Sequence, residues 1–226
     1  MYNLDSYLRS SIGRKQIVAA TGLMLILFVV GHLAGNLFMY GGPGAFNGYA
    51  KKLASLRPAL NFIEAGLLAV FCIHMYFTAL LVLENMNARS RYAVEKAKGA
   101  RSLSSRLMAY SGTIILAFVI WHILDFTLVD HHGPRSMVNG ESLGLYGVVY
   151  NSFADPLHSL LYIIAMICVG SHLDHGVQSF CQTFGFTSHQ CAPCIYKFSR
   201  WFAVLITLGY SSIPVYVLLN SMKVWQ

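Results

Sequence analysis

QIVAATGLMLILFVVGHLAGNLFM, residues 16–39, is the stretch that decides the fold. It contains no Asp, Glu, Lys or Arg, and His32 is the one side chain in it that titrates near neutral pH. At about 1.5 Å per residue such a run forms a helix longer than the roughly 30 Å hydrocarbon core of a bilayer. It is therefore expected to span a membrane. An imidazole is expensive there, so it should face the interior of a bundle and have a function.

Four further windows of the same kind follow: Ala59–Leu83, Leu107–Val129, Pro156–Val177 and Phe198–Leu219. The chain is 56% hydrophobic and 11% charged, with mean hydropathy +0.54. Soluble domains carry roughly 25% charged residues. The expectation is an all-α protein, one membrane domain over residues 1–226, made of five transmembrane helices at about 16–39, 59–83, 107–129, 156–177 and 198–219. Little chain is left for a soluble catalytic domain. Arg9, Arg14 and Lys15 resemble the basic start of a signal peptide. The apolar run behind them is too long and lacks a clear small-residue cleavage site, so the helix is expected to be retained.

The net charge of +7 reads first as a topology signal, before any reading as a nucleic-acid surface. With a cytoplasmic N-terminus, Arg9, Arg14, Lys15, Arg89, Arg91, Lys96, Lys98, Arg101, Arg106, Lys197 and Arg200 lie inside. Lys51, Lys52, Arg57, Arg135 and Lys223 lie outside. The positive-inside rule then orients the chain N-in, C-out. Gly41-Gly42-Pro43-Gly44 marks the first outer turn, and Pro58 and Pro156 stand where descending helices begin. The long outer connection Asp130–Asp155 is expected to fold over an outer cofactor as a lid.

Each of the first four windows carries one deeply placed histidine: His32, His74, His122 and His172. Counting helical rise along each chain direction sets His32 and His122 at one, outer level and His74 and His172 at an inner one. The pairs lie very roughly 15–20 Å apart. Bundles build cofactor sites from side chains on facing helices. Two imidazoles across a gap suit a six-coordinate haem, whose iron serves electron transfer. The plain alternative is interhelical hydrogen bonding, which four histidines at matched depths make a poor account of the pattern.

Two hydroxyls repeat the pattern, Thr21 eleven residues before His32 and Ser111 eleven before His122. Each should share its histidine's face about 16 Å further inward, as haem surroundings or as an ordinary polar helix contact. Gly31 and Gly35 give a small-xxx-small spacing that suits either a cofactor or close helix packing.

From about Arg14 to the last helix the chain resembles the single-chain, five-helix, di-haem cytochrome b subunit of succinate dehydrogenases and fumarate reductases. The residues that carry the likeness are Gly31-His32-Leu33, Ala45-Phe46-Asn47, Ser55-Leu56-Arg57-Pro58, Trp121-His122, Tyr146 to Asn151 with Asp155-Pro156, His172-Leu173-Asp174-His175-Gly176-Val177-Gln178-Ser179-Phe180, and Thr183-Phe184-Gly185. The resemblance implies two haem b, with His32 and His122 as axial iron ligands of the outer haem and His74 and His172 of the inner one. It also implies a membrane quinone, with menaquinone the working choice over ubiquinone. The implied partners are an iron–sulfur subunit and an FAD-containing flavoprotein on the cytoplasmic side, which would handle succinate or fumarate, and the lipid bilayer. No nucleic acid is expected, and a dimer of complexes is left open. The implied location is the bacterial cytoplasmic membrane.

Quinone chemistry needs a proton-exchanging group at haem depth. Glu64, ten residues before His74, comes level with His32 and His122 and is the first candidate; the alternative is a carboxylate settled by the start of its helix. Asn36, Asp125 and His158 are further outer candidates. Arg14, Lys15, Arg106 and Lys197 lie at the depth of inner haem propionates, a placement the positive-inside rule also explains. His175, one turn beyond His172, is expected as a propionate or loop contact. Cys72 and Cys168 read as apolar fillers. Cys181, His189, Cys191 and Cys194 could hold zinc or act as a redox pair, or be reduced thiols in a reducing compartment. Two other readings are a cytochrome b anchoring a hydrogenase or formate dehydrogenase, and a transporter relaying protons through histidines, which would require more intramembrane carboxylates.

Overall fold

Ser10 starts the bundle: its Oγ accepts the Gly13 N–H at 3.0 Å and caps the first long helix. The computed structural model describes residues 4–91 and 103–224. A short helix α1 (Leu4–Arg9) precedes the cap, and α2 (Ser11–Asn36) follows it. A 3₁₀ turn over Leu37–Gly41 leads to Gly42 at φ 79°, a left-handed value that glycine adopts without strain. Pro43 then stands in the first turn of α3 (Gly42–Ala54), where its missing N–H is harmless.

Helix α4 (Ala59–Arg91) begins immediately after Pro58, and α5 (Leu103–His122) returns. Past His122 the backbone widens into a π-turn over Ile123–Thr127, closed by Leu128 N–H to Ile123 O at 3.0 Å. A two-residue antiparallel ladder pairs β1 (Met137–Val138) with β2 (Glu141–Ser142). Its turn, Asn139 and Gly140 at φ 51° and 85°, is the Asn-Gly type favoured in tight hairpins. Helix α6 (Gly144–Ala154) precedes Asp155, whose carboxylate accepts Leu157 N–H at 3.0 Å and caps α7 (Pro156–Thr183). The last helix is α8 (Ala192–Val224).

Among the described residues five helical stretches are long and apolar enough to cross a membrane, and these residues are all-α apart from the small hairpin. The helices overrun the apolar windows: α4 continues to Arg91 and α7 to Thr183. The basic residues Lys96, Lys98 and Arg101 lie outside the described residues, as does the side chain of Arg106.

Helix neighbours follow from surface shape. Helix α2 packs along α4 and α7, α5 packs along α7, and α8 lies against α7 and α2. Among the described residues no comparable interface joins α4 to α5. A Cβ on Gly170 would run into Thr207 Oγ1 and approach Ala203 O to 3.3 Å, so α7 and α8 meet where only glycine fits. Arg14 pairs with Glu84, joining the start of α2 to the far part of α4 as an antiparallel arrangement requires.

The segment between the third and fourth long helices is a packed cap. Tyr146, Val149 and Phe153 of α6 are buried with Met39, Phe46, Tyr162, Ile213 and Val217. Full burial of a side chain of this size contributes about 1.5–3 kcal/mol. Asn47 ties α3 to this cap by donating to Leu143 O at 2.8 Å and accepting Tyr146 N–H at 3.0 Å. Burial, then the neighbouring Tyr216 and Tyr150, push the Tyr146 phenol above the ordinary tyrosine range. The expected lid is thus held as part of the core.

Candidate functional site

Thr21 sits in the middle of α2 and donates its hydroxyl proton to Ile17 O at 2.7 Å. A hydroxyl has one proton to give, so towards any other partner it can only accept. That partner is His74 Nδ1 on α4, 3.0 Å away. The contact holds Nδ1 of His74 against α2. On α5 the same logic recurs. Ser111 Oγ donates to Met108 O at 3.1 Å and lies 3.1 Å from His172 Nδ1 on α7. Thr21 and Ser111 are themselves buried, so water does not compete for these contacts.

The glycines beside the two hydroxyls complete the repeat. A Cβ on Gly22 would come to 3.3 Å from His74 Cε1, and one on Gly112 to 3.5 Å from His172 Cε1. Thr21-Gly22 and Ser111-Gly112 are thus equivalent seats for two imidazoles.

At the other level His32 of α2 and His122 of α5 face each other with ring centres 5.8 Å apart, nearly perpendicular. A metal–imidazole bond is about 2 Å, so two rings sharing one metal atom stand about 6 Å apart. Aromatic side chains build the surroundings: Phe28 stacks on His32 at 5.3 Å, and Phe118, Phe126 and Tyr162 surround His122. Tyr210 reaches over from α8, 6.1 Å from His32, with its hydroxyl fixed on Val29 O at 2.7 Å. His122 Nδ1 is buried and has no hydrogen-bond partner among the described residues. A Cβ on Gly31 would meet nothing within 4 Å, whereas one on Gly35 would strike Tyr49. The Gly31–Gly35 spacing therefore splits: Gly35 serves packing, and Gly31 faces open space.

Among the described residues no group of three or more His, Cys, Asp or Glu side chains could hold a metal ion. Each histidine pair supplies two donors, so a metal shared by a pair must bring the rest of its coordination with it. A metal in a planar macrocycle meets that requirement. Cys181, Cys191 and Cys194 are free thiols and do not assemble with His189 into such a group.

The other expected residues are distributed as follows. Glu64 lies on the open face of α4 with its side chain 54% exposed, paired with Arg57 at 3.1 Å. Asn36 donates to His32 O at 2.7 Å and so finishes α2. Arg14 is engaged by Leu8 O and Glu84, and Lys15 is exposed. His175 has a buried Nδ1 without a hydrogen-bond partner among the described residues. Beside it, Asp174 is buried and accepts from Gln178 Nε2 at 2.8 Å, Ser199 Oγ at 2.7 Å and Arg200 Nε at 3.3 Å. The 172–180 segment thus locks α7 to α8 just beyond His172.

Asp125 and His158 meet in a buried cluster. Asp125 accepts from Arg135 Nη2 at 2.6 Å and from Tyr162 Oη at 3.0 Å. His158 Nε2 lies 2.9 Å from Asp125 Oδ2, in close contact without good hydrogen-bond alignment. Arg135, Tyr162, Ser199 and Tyr210 had no signal in the sequence, since each acts on a partner at least ten positions away.

No protein-family model matches the chain, and no solved structure matches it. Among curated proteins, 191 residues align at 26% identity with the succinate dehydrogenase cytochrome b558 subunit of Bacillus subtilis (strain 168), covering 82% of this chain and 84% of that one. The chain is a distant homologue of that subunit, with five candidate membrane helices of its own.

Proposed function

We propose that this chain is the di-haem cytochrome b subunit that anchors a succinate:quinone oxidoreductase or quinol:fumarate reductase in the membrane. The homology supports an anchor role in such a complex at family level. The observation that carries the finer reading is the matched pair of contacts that hold His74 and His172 by Nδ1 on buried hydroxyls. With Nδ1 so held, Nε2 is the ring nitrogen that each would offer to a metal.

In this reading His74 and His172 hold one haem b, and His32 and His122 hold the other. The residues fit the group: paired imidazoles with no third ligand, aromatic walls, open space at Gly31 and an unused His122 Nδ1. When bound, haem supplies one-electron transfer through a six-coordinate iron. The chain's part is to aim the imidazoles, keep water away from them with Phe28, Phe118 and Phe126, and bring charge to the propionates. His175, Lys15, Arg14 and Arg106 are the candidates for that last role, and Thr21 and Ser111 orient the ligands.

With eleven basic residues on the side of the N-terminus and five on the other, that end faces the cytoplasm. It is also where an iron–sulfur subunit and its flavoprotein partner dock. Quinone, with menaquinone the working choice, reacts in the membrane, and Glu64 is the proposed proton-exchanging residue. Its exposed face on α4 leaves it open to a lipid-borne molecule.

The test is a dithionite-reduced-minus-oxidised spectrum of the purified complex, with pyridine haemochrome quantitation per chain. Two b-type haems per chain is the expected result. A folded, assembled complex without haem would sink the reading.

A further inference from the structure

Asp125 is 7% exposed and sits in the π-turn that directly follows His122. Arg135 donates Nη2 to Asp125 Oδ1 at 2.6 Å and to Ser152 Oγ at 2.6 Å, and Nη1 to Asp125 O at 3.3 Å. Tyr162 donates to Oδ2 and His158 touches it, so every side of the carboxylate is engaged. Tyr162 is also a wall of the His122 site: its ring centre lies 6.2 Å from that of His122, and it stacks on His158 at 4.9 Å.

Holding the cap in place does not by itself explain a charged pair here. The Asp125 carboxylate is withdrawn from water while the Arg135 side chain is 42% exposed, so the cost of desolvation falls on the carboxylate, where an apolar residue of similar volume often stabilises equally well or better. A shielded charge has a second effect, because its field is weakly screened and reaches neighbouring groups. The nearest redox position is the His32–His122 level. Asp125 follows His122 by three residues, roughly 5 Å along the helix axis.

We propose that Asp125 and Arg135 form a charge pair that sets the reduction potential of the haem held by His32 and His122, leaving the haem of His74 and His172 unaffected. This rests on the di-haem reading above. The two residues are positioning groups: neither is a ligand, and each acts through the field it imposes. A negative charge beside the iron disfavours the added electron, and a positive charge favours it. Asp125→Asn therefore leaves Arg135 uncompensated and raises that potential, while Arg135→Gln leaves the carboxylate uncompensated and lowers it. The double variant restores neutrality and returns the potential towards the parent value.

The experiment is a spectroscopic redox titration of the assembled complex carrying D125N, R135Q or both. The expected single-variant shift is about tenfold in the reduction equilibrium, about 59 mV for one electron. It should have opposite sign in the two variants and be confined to one haem. Haem-replete variants with unmoved potentials, or with shifts of the same sign, overturn the charge-pair inference while the two-haem reading stands. A parent complex without haem overturns both. Where a single variant fails to assemble, the double decides: a parent-like potential supports the pair, and a shifted one overturns it.

Discussion

Thr21 Oγ1 on α2 lies 3.0 Å from His74 Nδ1 on α4 and 2.7 Å from Ile17 O of its own helix. One hydroxyl thereby joins two helices and holds the imidazole by Nδ1. Ser111 does the same for His172 at 3.1 Å. Partners of this kind orient metal ligands, and their loss usually weakens metal binding about 10–100-fold.

Thr21→Val keeps the shape of the side chain and removes the hydroxyl, with its contact to His74 and its hydrogen bond to Ile17 O. It should weaken retention of the haem held by His74 and His172 by about 10–100-fold, as should Ser111→Ala. Haem titration of the depleted complex, read in the visible spectrum, measures this. Unchanged affinity in both variants would show the two hydroxyls to be ordinary helix contacts.

Ligand variants should divide into two groups. His32→Ala and His122→Ala are expected to remove one haem, and His74→Ala and His172→Ala the other. Reduced-minus-oxidised spectra of the four complexes distinguish them by which band disappears. Loss of a common haem in all four would refute the pairing.

Glu64→Gln tests the proton-exchange role without disturbing the fold. The Arg57–Glu64 pair is half exposed, so its removal should change stability by no more than about 1 kcal/mol. Turnover with quinone should fall, while turnover with a soluble dye that takes electrons before they enter the membrane subunit should not. Equal rates with quinone in parent and variant would remove Glu64 from the mechanism.

Asn47→Ala severs both hydrogen bonds between α3 and the start of α6. Both hydrogen bonds are part-buried, so losing each costs about 0.5–1.5 kcal/mol. Limited proteolysis should find residues 130–143 cut faster at unchanged haem content. A cleavage rate equal to that of the parent would mean that apolar packing alone holds the cap.

Gly170→Ala places a methyl group against Thr207 Oγ1 and should destabilise the α7–α8 contact by about 1–3 kcal/mol. Adding Thr207→Ala removes the obstructing atom and should recover part of that loss. Thermal unfolding of the two variants compares them directly, and a double variant no more stable than the single one would show that backbone crowding at Ala203 O dominates.

Much of this arrangement was legible beforehand, for physical reasons that differ by residue. The five long helices could be read because hydropathy over a window is local and additive: QIVAATGLMLILFVVGHLAGNLFM is apolar whatever surrounds it. The levels of the histidines could be read because helical rise converts residue number into depth, and the structure sets His32 opposite His122. The repeat of Thr21 and Ser111 was visible for the same reason. What it meant was not: depth says nothing about which neighbouring helix a side chain meets. The Asn139-Gly140 hairpin had its signal in that dipeptide, which the apolar windows obscured.

The sequence by itself determined the five apolar helices and the position of each imidazole along its own helix, since these depend only on composition and constant rise. Tertiary structure alone decided that α2 lies along α4 and α5 along α7, so that each hydroxyl meets a histidine of another helix. It also decided that Arg135 and Tyr162 converge on Asp125 from ten and thirty-seven positions away. Azimuth and neighbour choice come from how uneven helix surfaces interlock, as where Gly170 admits Thr207, and that fit exists only once the helices pack.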